Sequence, residues 1–226
     1  MHNVLITGAS RGIGLGLTRA YLARGARVFA VVRRPPSDEL LALSHSYEAT
    51  LRPILCDLDD DQAAARIGEA LQGARLDRAL FNAGIYGPTH QDPRQVSQAE
   101  IAQLFLGNAI APVRLAQTLQ SSMQEDGVLA FISSQMASIE LARSADMPLY
   151  GASKAALNSL LRSWSQAAPQ LNLLALHPGW VRTGLGGEQA PLSVEDSVRG
   201  LIEVIEAQAG QPGCRFLDHQ GQVLPW

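Results

Sequence analysis

The sequence is almost without lysine. Of its 18 basic residues, 17 are arginine and one, Lys154, is lysine. A general arginine bias accounts for the imbalance but leaves open why the one lysine stands at 154. Cysteine is nearly as scarce. Cys56 and Cys214 lie far apart with no CxxC pair, which argues against a disulfide framework or a zinc site and predicts two core thiols. No metal site is expected. No window reaches the 18 or more apolar residues of a membrane span. The start, Met-His-Asn-Val, has no basic segment followed by an apolar one, so no signal peptide is expected and the cytoplasm is the expected compartment. The net charge is −3, with no basic run beyond Arg33-Arg34, which argues against nucleic-acid or anionic-membrane partners.

What is present is ordinary globular composition, 46% hydrophobic and 17% charged over 226 residues. A chain this long buries roughly 70–75% of its unfolded surface and needs no staple. Short β-branched runs alternate with longer helix-like stretches: Val4–Thr7, Arg27–Val32, Leu51–Cys56, Leu76–Phe81, Val128–Ile132, Leu171–Leu176 and Cys214–Leu217. Helical patterns fall near 12–24, 60–72, 97–119, 148–167 and 193–208, with start signals at Ser97/Glu100 and at Ser193. Alternating strands and helices predict an α/β fold, a doubly wound Rossmann domain with a parallel sheet of about seven strands and helices on both faces. Connections are short and no repeat or linker divides the chain, so residues 1–226 are expected to form one domain.

Thr7-Gly8-Ala9-Ser10-Arg11-Gly12-Ile13-Gly14 stands where the first strand becomes the first helix. Glycines there permit a tight turn and close backbone approach to a pyrophosphate, and the helix start offers free N–H groups. A glycine-rich turn also serves as a plain strand–helix corner. Its place in the first βα unit favours a dinucleotide. The second strand ends Val31-Val32-Arg33-Arg34, with no carboxylate where NAD would need one for its ribose 2′-hydroxyl. Two arginines suit a 2′-phosphate, so NADP is preferred and NAD less expected, with Arg11 a further cation on the same side. Asp57, followed by Leu58, meets an adenine amino group or caps the next helix; the sequence does not choose.

Tyr150 and Lys154, four residues apart, share one face of a helix. An unperturbed phenol titrates near ~10, and a nearby ammonium favours the phenolate, which suits general acid–base work on a carbonyl or alcohol. Lysine, a compact charge with three rotatable donors, fits this better than a planar guanidinium.

Four motifs occur in order: the glycine loop, Asn82-Ala83-Gly84, Tyr150-x3-Lys154 and His177-Pro178-Gly179. Together they resemble a short-chain dehydrogenase/reductase over essentially the whole chain. His177-Pro178-Gly179-Trp180-Val181-Arg182-Thr183 and the ending Arg215-Phe216-Leu217-Asp218 … Leu224-Pro225-Trp226 are similar to the C-factor and carbonyl-reductase-like branch. The resemblance implies Tyr150 as acid/base and Lys154 as the group that lowers its pKa and binds the nicotinamide ribose. It implies Ser134 as the hydrogen-bond partner of the substrate oxygen. The interval from Ser134 to Tyr150 is a few residues longer than the family's usual spacing, which keeps Ser133 and Ser138 as alternates. Asn108 matches the family's asparagine, and Pro112 supplies a physical reason: it has no N–H for the Asn108 carbonyl, which is freed to hold a relay water. Asn82, Ala83 and Gly84 would flank the adenosine half. Pro178, Gly179, Val181 and Thr183 would flank the nicotinamide, with His177 a strand-end residue. Gly184-Leu185-Gly186-Gly187 would be a short lid, with Trp180, Met136 and Tyr86 as candidate lining. The resemblance further implies NADPH-dependent hydride transfer with a small carbonyl or alcohol, and a homodimer or homotetramer. The reading from another class is a dinucleotide-binding signalling protein with little turnover.

Overall fold

The computed structural model describes residues 1–141 and 146–226. Its strands are β1 (Asn3–Thr7), β2 (Arg27–Val32), β3 (Leu51–Leu55), β4 (Leu76–Phe81), β5 (Met123–Ile132), β6 (Asn172–His177) and β7 (Gly213–Asp218). Its α-helices are α1 (Gly12–Ala23), α2 (Asp38–Ser46), α3 (Ala63–Leu71), α4 (Gln98–Phe105), α5 (Ala111–Leu119), α6 (Pro148–Ala167) and α7 (Val194–Ala207). The strands form one parallel sheet in the order β3-β2-β1-β4-β5-β6-β7. The order reverses between β1 and β4, so loops leaving their C-terminal ends diverge and leave a crevice there.

The period-2 alternation of strand side chains decides the two cores. Leu5, Phe29 and Val31 face one layer with Ile67 of α3, Val113 and Leu115 of α5, and Leu157, Leu161 and Trp164 of α6. Val4, Ile6, Val28, Ala30 and Val32 face the other, with Leu17 and Tyr21 of α1, Leu40 of α2 and Leu201, Ile202 and Ile205 of α7. Each such aliphatic side chain contributes roughly 1.5–3 kcal/mol on burial. Cys56 belongs to the first layer and Cys214 packs against it, both as free thiols. Arg78 on β4 is buried and holds the Glu206 carboxylate of α7 with Nη2 at 2.6 Å and Nε at 3.2 Å. The Tyr21 hydroxyl of α1 donates to the same carboxylate, which ties three elements together.

Three differences from expectation, among them an unexpected helix, have identifiable reasons. The helix α2 carries one buried residue, Leu40, so its apolar stripe is too thin to show; its Ser37 cap, accepting from Leu40 N, was the available signal. The strand β5 begins at Met123, five residues before Val128, because Met123 pairs with Leu76 and an irregularity then carries the exposed Gln124-Glu125-Asp126 out of register before the ladder resumes at Val128. The expected helix over 97–119 is interrupted. Ser97 and Glu100 form the capping box that starts α4, but a π-helical turn, Leu106–Ile110, separates α4 from α5. In a straight α-helix the Pro112 ring would clash with the Asn108 carbonyl, and widening the turn relieves that clash. Among the described residues no helix is long and apolar enough to cross a membrane.

Candidate active site

The glycine loop is held by side chains from the next strand across the switch point. Thr7 Oγ1 accepts from Asn82 N at 3.0 Å and Ala83 N at 3.1 Å. Asn82 Nδ2 donates back to Thr7 O and Gly8 O at 3.1 and 3.2 Å. Gly8 has φ +68° and Gly12 φ +53°, conformations that favour glycine. Gly14 admits no side chain, since a Cβ there would stand 2.1 Å from Gly8 O. The helix α1 then begins at Gly12 with no side-chain cap from Arg11, which leaves its first N–H groups turned to the crevice.

A continuous path of contacts leads from this loop to Tyr150. A Cβ on Gly84 would lie 3.2 Å from Asn108 Oδ1 and 3.5 Å from Lys154 Nζ. The Asn108 amide grips Ile85 from both sides, accepting from Ile85 N and donating to Ile85 O, each at 2.8 Å. Its Nδ2 also donates to Ser153 Oγ at 3.0 Å, and Ser153 donates to Tyr150 O at 2.7 Å. Lys154 is 4% exposed and donates from Nζ to Ile132 O, at the end of β5, at 2.8 Å. The expected i, i+4 pairing is present, with Lys154 Nζ 5.9 Å from the Tyr150 ring centroid.

The three serines after β5 separate clearly. Ser133 is buried and donates to Asn158 Oδ1 of α6 at 2.8 Å, and Ser138 accepts from Leu141 N. Ser134 caps the short turn Gln135–Ala137 through Oγ, accepting from Met136 N at 3.1 Å. The carbonyl of Met136 packs against Gly151, 3.1 Å from where its Cβ would be, so this turn rides on the first turns of α6.

Electrostatics departs from the simple expectation of a lowered phenol. Burial pushes the Tyr150 phenol up to about 12, with Tyr86 adding to the rise. Burial pushes the Lys154 ammonium down to about 8. At neutral pH the tyrosine therefore carries its proton and the lysine its charge, the state a proton donor needs.

Pro178 O accepts from Ser197 Oγ at 2.6 Å, and Gly179 has φ +84°. Thr183 lies over the glycine loop, its Cγ2 3.3 Å from the Cβ position of Gly12, and Val181 is bridged to Leu192. The segment 184–187 is a turn bound to Thr183, whose Oγ1 accepts from Gly186 N at 3.1 Å and Leu185 N at 3.3 Å. Arg33 and Arg34 are exposed just past β2. The Arg11 guanidinium stands 3.8 Å from the Cβ position of Gly184. Asp57 caps no helix: it is exposed, its Oδ1 accepts from Asp59 N at 3.2 Å in a local turn, and α3 begins later, at Ala63. Ser10 is joined to the loop after β2, its carbonyl accepting from Ser37 Oγ at 2.8 Å. His177 ends β6, and burial, with His219 beside it, pushes its imidazole down to about 4. Trp180 is exposed and donates from Nε1 to Gly186 O at 2.7 Å, while the Tyr86 ring stacks on Tyr150 at 6.0 Å. Residues that motif reading missed are Ser153, Asn158 and Gln91, all polar and buried.

Residues 2–191 match the family model for short chain dehydrogenase. The chain belongs to the short-chain dehydrogenase family. It is accordingly an NAD(P)-dependent dehydrogenase/reductase. A carbonyl reductase from Pseudomonas aeruginosa PAO1, solved in complex with NADP, is 56% identical with a TM-score of 0.95, each chain covered to 100%. Short-chain dehydrogenase RED3 of Pyricularia oryzae is 32% identical over 244 residues, 99% of this chain and 98% of RED3. C-signal of Myxococcus xanthus is 36% identical over 155 residues, 67% of this chain and 93% of C-signal. Both sides of the expected C-factor and carbonyl-reductase resemblance are thus met within this dehydrogenase family.

Proposed function

We propose that this dehydrogenase is an NADPH-dependent carbonyl reductase acting on small carbonyl or alcohol substrates, with Tyr150 as general acid/base. The observation that carries the reading is the buried Tyr150–Lys154 pair, joined through Gly84 and Asn108 to a glycine cradle at the sheet's switch point. The cradle fits a dinucleotide phosphate: an uncapped α1 start, two glycines at positive φ, and no competing side chain at Gly8, Gly12 or Gly14. The exposed Arg33 and Arg34 fit a 2′-phosphate, and the NADP-bound relative from P. aeruginosa supports the same cofactor. When bound by the glycine loop, Arg33, Arg34 and Lys154, NADPH would supply the hydride for the substrate carbon. Around it, Ser134 orients the substrate oxygen and Tyr150 gives up the proton to it. Lys154 supplies the positive field and holds the ribose, and Asn108 keeps the 84–85 backbone and α6 in register. Residues 1–226 act as one catalytic domain, in the cytoplasm and as a homodimer or homotetramer, with neither nucleic acid nor membrane as partner.

The first test is NADPH oxidation against a panel of aldehydes, ketones and quinones. Turnover is expected; silence across the panel with tight NADPH binding would favour a signalling role, the reading for which the likeness to C-signal speaks. Arg33→Asp should raise KM for NADPH by roughly 10–100-fold, the loss of about 1.5–3 kcal/mol from a charged hydrogen bond, and improve NADH use. Equal Michaelis constants before and after would refute the assignment of Arg33. The rate of carbonyl reduction should fall as pH rises through about 8, because Lys154 loses its charge there while the Tyr150 proton, held to about 12, is still present. A kcat profile from pH 6 to 10 at saturating NADPH measures this, and a flat profile would remove Lys154 from that role.

A further inference from the structure

The helix that carries Tyr150 and Lys154 begins without a cap of its own. The Met147 side chain makes no cap hydrogen bond, and Pro148, at the first helical position, has no N–H. Tyr150 is the third helical residue, and its N–H is one of the donors an N-cap side chain normally satisfies. Here the acceptor is Gln91 Oε1, at 2.9 Å and 59 residues away in sequence. The other end of the same amide donates from Nε2 to Tyr86 O at 3.1 Å and Pro88 O at 2.8 Å. Gln91 is 3% exposed, and its backbone is left-handed with φ +51°, a conformation glutamine rarely adopts. Tyr86, whose carbonyl the amide holds, stacks its ring on that of Tyr150 at 6.0 Å with planes 21° apart. One buried side chain thus fixes both the backbone of Tyr150 and the ring that lies against it.

We infer that Gln91 is a positioning residue, a cap supplied from the β4–α4 loop that sets where the Tyr150 hydroxyl points. The inference rests on the reading of Tyr150 as the acid/base. All three of its bonds converge there: one to Tyr150 itself, two to the backbone around Tyr86. A residue serving only the loop would not need its oxygen on α6. A residue serving only α6 would not need both N–H bonds on the loop. The left-handed backbone is what turns the side chain inward.

The test compares Gln91→Met, which keeps length and apolar volume but removes the amide, with Gln91→Gly, which suits φ +51° and also removes the amide. For the full-length protein with NADPH and an accepted carbonyl, kcat should fall in both by about tenfold to 100-fold, as for a reacting group displaced by about an ångström. KM and Kd for NADPH should stay within about twofold, since the amide touches neither the glycine loop nor Arg33. A second readout does not depend on turnover. With tyrosine labelled at the carbon bearing the hydroxyl, the four tyrosines give separate NMR signals. Tyr150 and Tyr86 should shift in both variants, while Tyr21 and Tyr47 should not. Tyr150→Phe identifies the Tyr150 signal. A folded variant with unchanged kcat and an unmoved Tyr150 signal would overturn the inference, as would a rise in KM for NADPH with kcat intact. If the wild type turns over no carbonyl, the acid/base reading fails, and the NMR signals still decide whether Gln91 sets the tyrosine's position. Gln91→Gly guards against a Gln91→Met protein that does not fold, because it relieves the backbone conformation.

Discussion

Replacing Tyr150 by phenylalanine should lower kcat by roughly 10²–10⁴-fold, the usual contribution of a positioned proton donor. The substitution removes one oxygen and little else. The ring keeps its stack on Tyr86. The backbone N–H keeps its bond to Gln91, and the backbone carbonyl keeps its bond from Ser153. The glycine loop, Thr183 and Arg33 are untouched, so the dissociation constant for NADPH should hardly change. Nor should the protein lose stability. Burial is what pushes the phenol up, and the described residues make no hydrogen bond to the hydroxyl that would be lost. Steady-state kinetics on an accepted carbonyl, alongside NADPH fluorescence titration and thermal unfolding, separates these effects. Near-normal turnover in a folded Tyr150→Phe protein would end the acid/base assignment.

The second large effect is expected from Lys154→Arg, a change that preserves charge. Lys154 is enclosed: Nζ donates to Ile132 O at 2.8 Å and lies 3.5 Å from the Cβ position of Gly84, with Asn108 Oδ1 beside the same position. A guanidinium is wider and planar, and its donors form a fixed fork rather than a rotating tripod. Forcing it into this space costs about 1–3 kcal/mol in overpacking and moves the charge off the Ile132 carbonyl. The expected result is a fall in kcat of roughly tenfold or more, each tenfold being about 1.4 kcal/mol of barrier. A further sign distinguishes charge from shape. Arginine does not lose its proton in this range, so the decline of reduction above about pH 8 should disappear in the variant. Turnover equal to wild type, with the decline unchanged, would mean that this lysine serves neither purpose.

Much of the site is legible along the chain because its parts are local. The glycine loop is eight residues at one strand–helix corner, and Tyr150 and Lys154 are one helical turn apart. Strand alternation is equally local, which is why the seven strands and their order of appearance can be read. The π-turn was half visible. Pro112 marks Asn108 as the carbonyl left without its usual partner, but whether the helix kinks, ends or widens depends on what packs there. Packing chose widening, with the Asn108 amide clasped between Ile85 and Ser153. The family match points to Ser134 among the three serines that follow the same strand, and the motif carries nothing of their partners. Those come from the fold: Ser133 donates to Asn158 on α6, while Ser134 and Ser138 each accept from a backbone N–H in a local turn.

Propensity, periodicity and motif spacing act over a few residues, and so the βα alternation, the glycine-rich corner after β1 and the single lysine at 154 can be read along the chain. The tertiary structure decided what each of those groups does with its neighbours. It set Lys154 against Ile132 O, 22 residues away, Asn82 against Thr7, 75 away, and Gln91 against Tyr150, 59 away. Those meetings follow from the strand order, which places β4 beside β1 and β5 beside β4. They follow also from burial, which leaves a polar group inside the protein stable only where a partner of opposite hydrogen-bonding character reaches it.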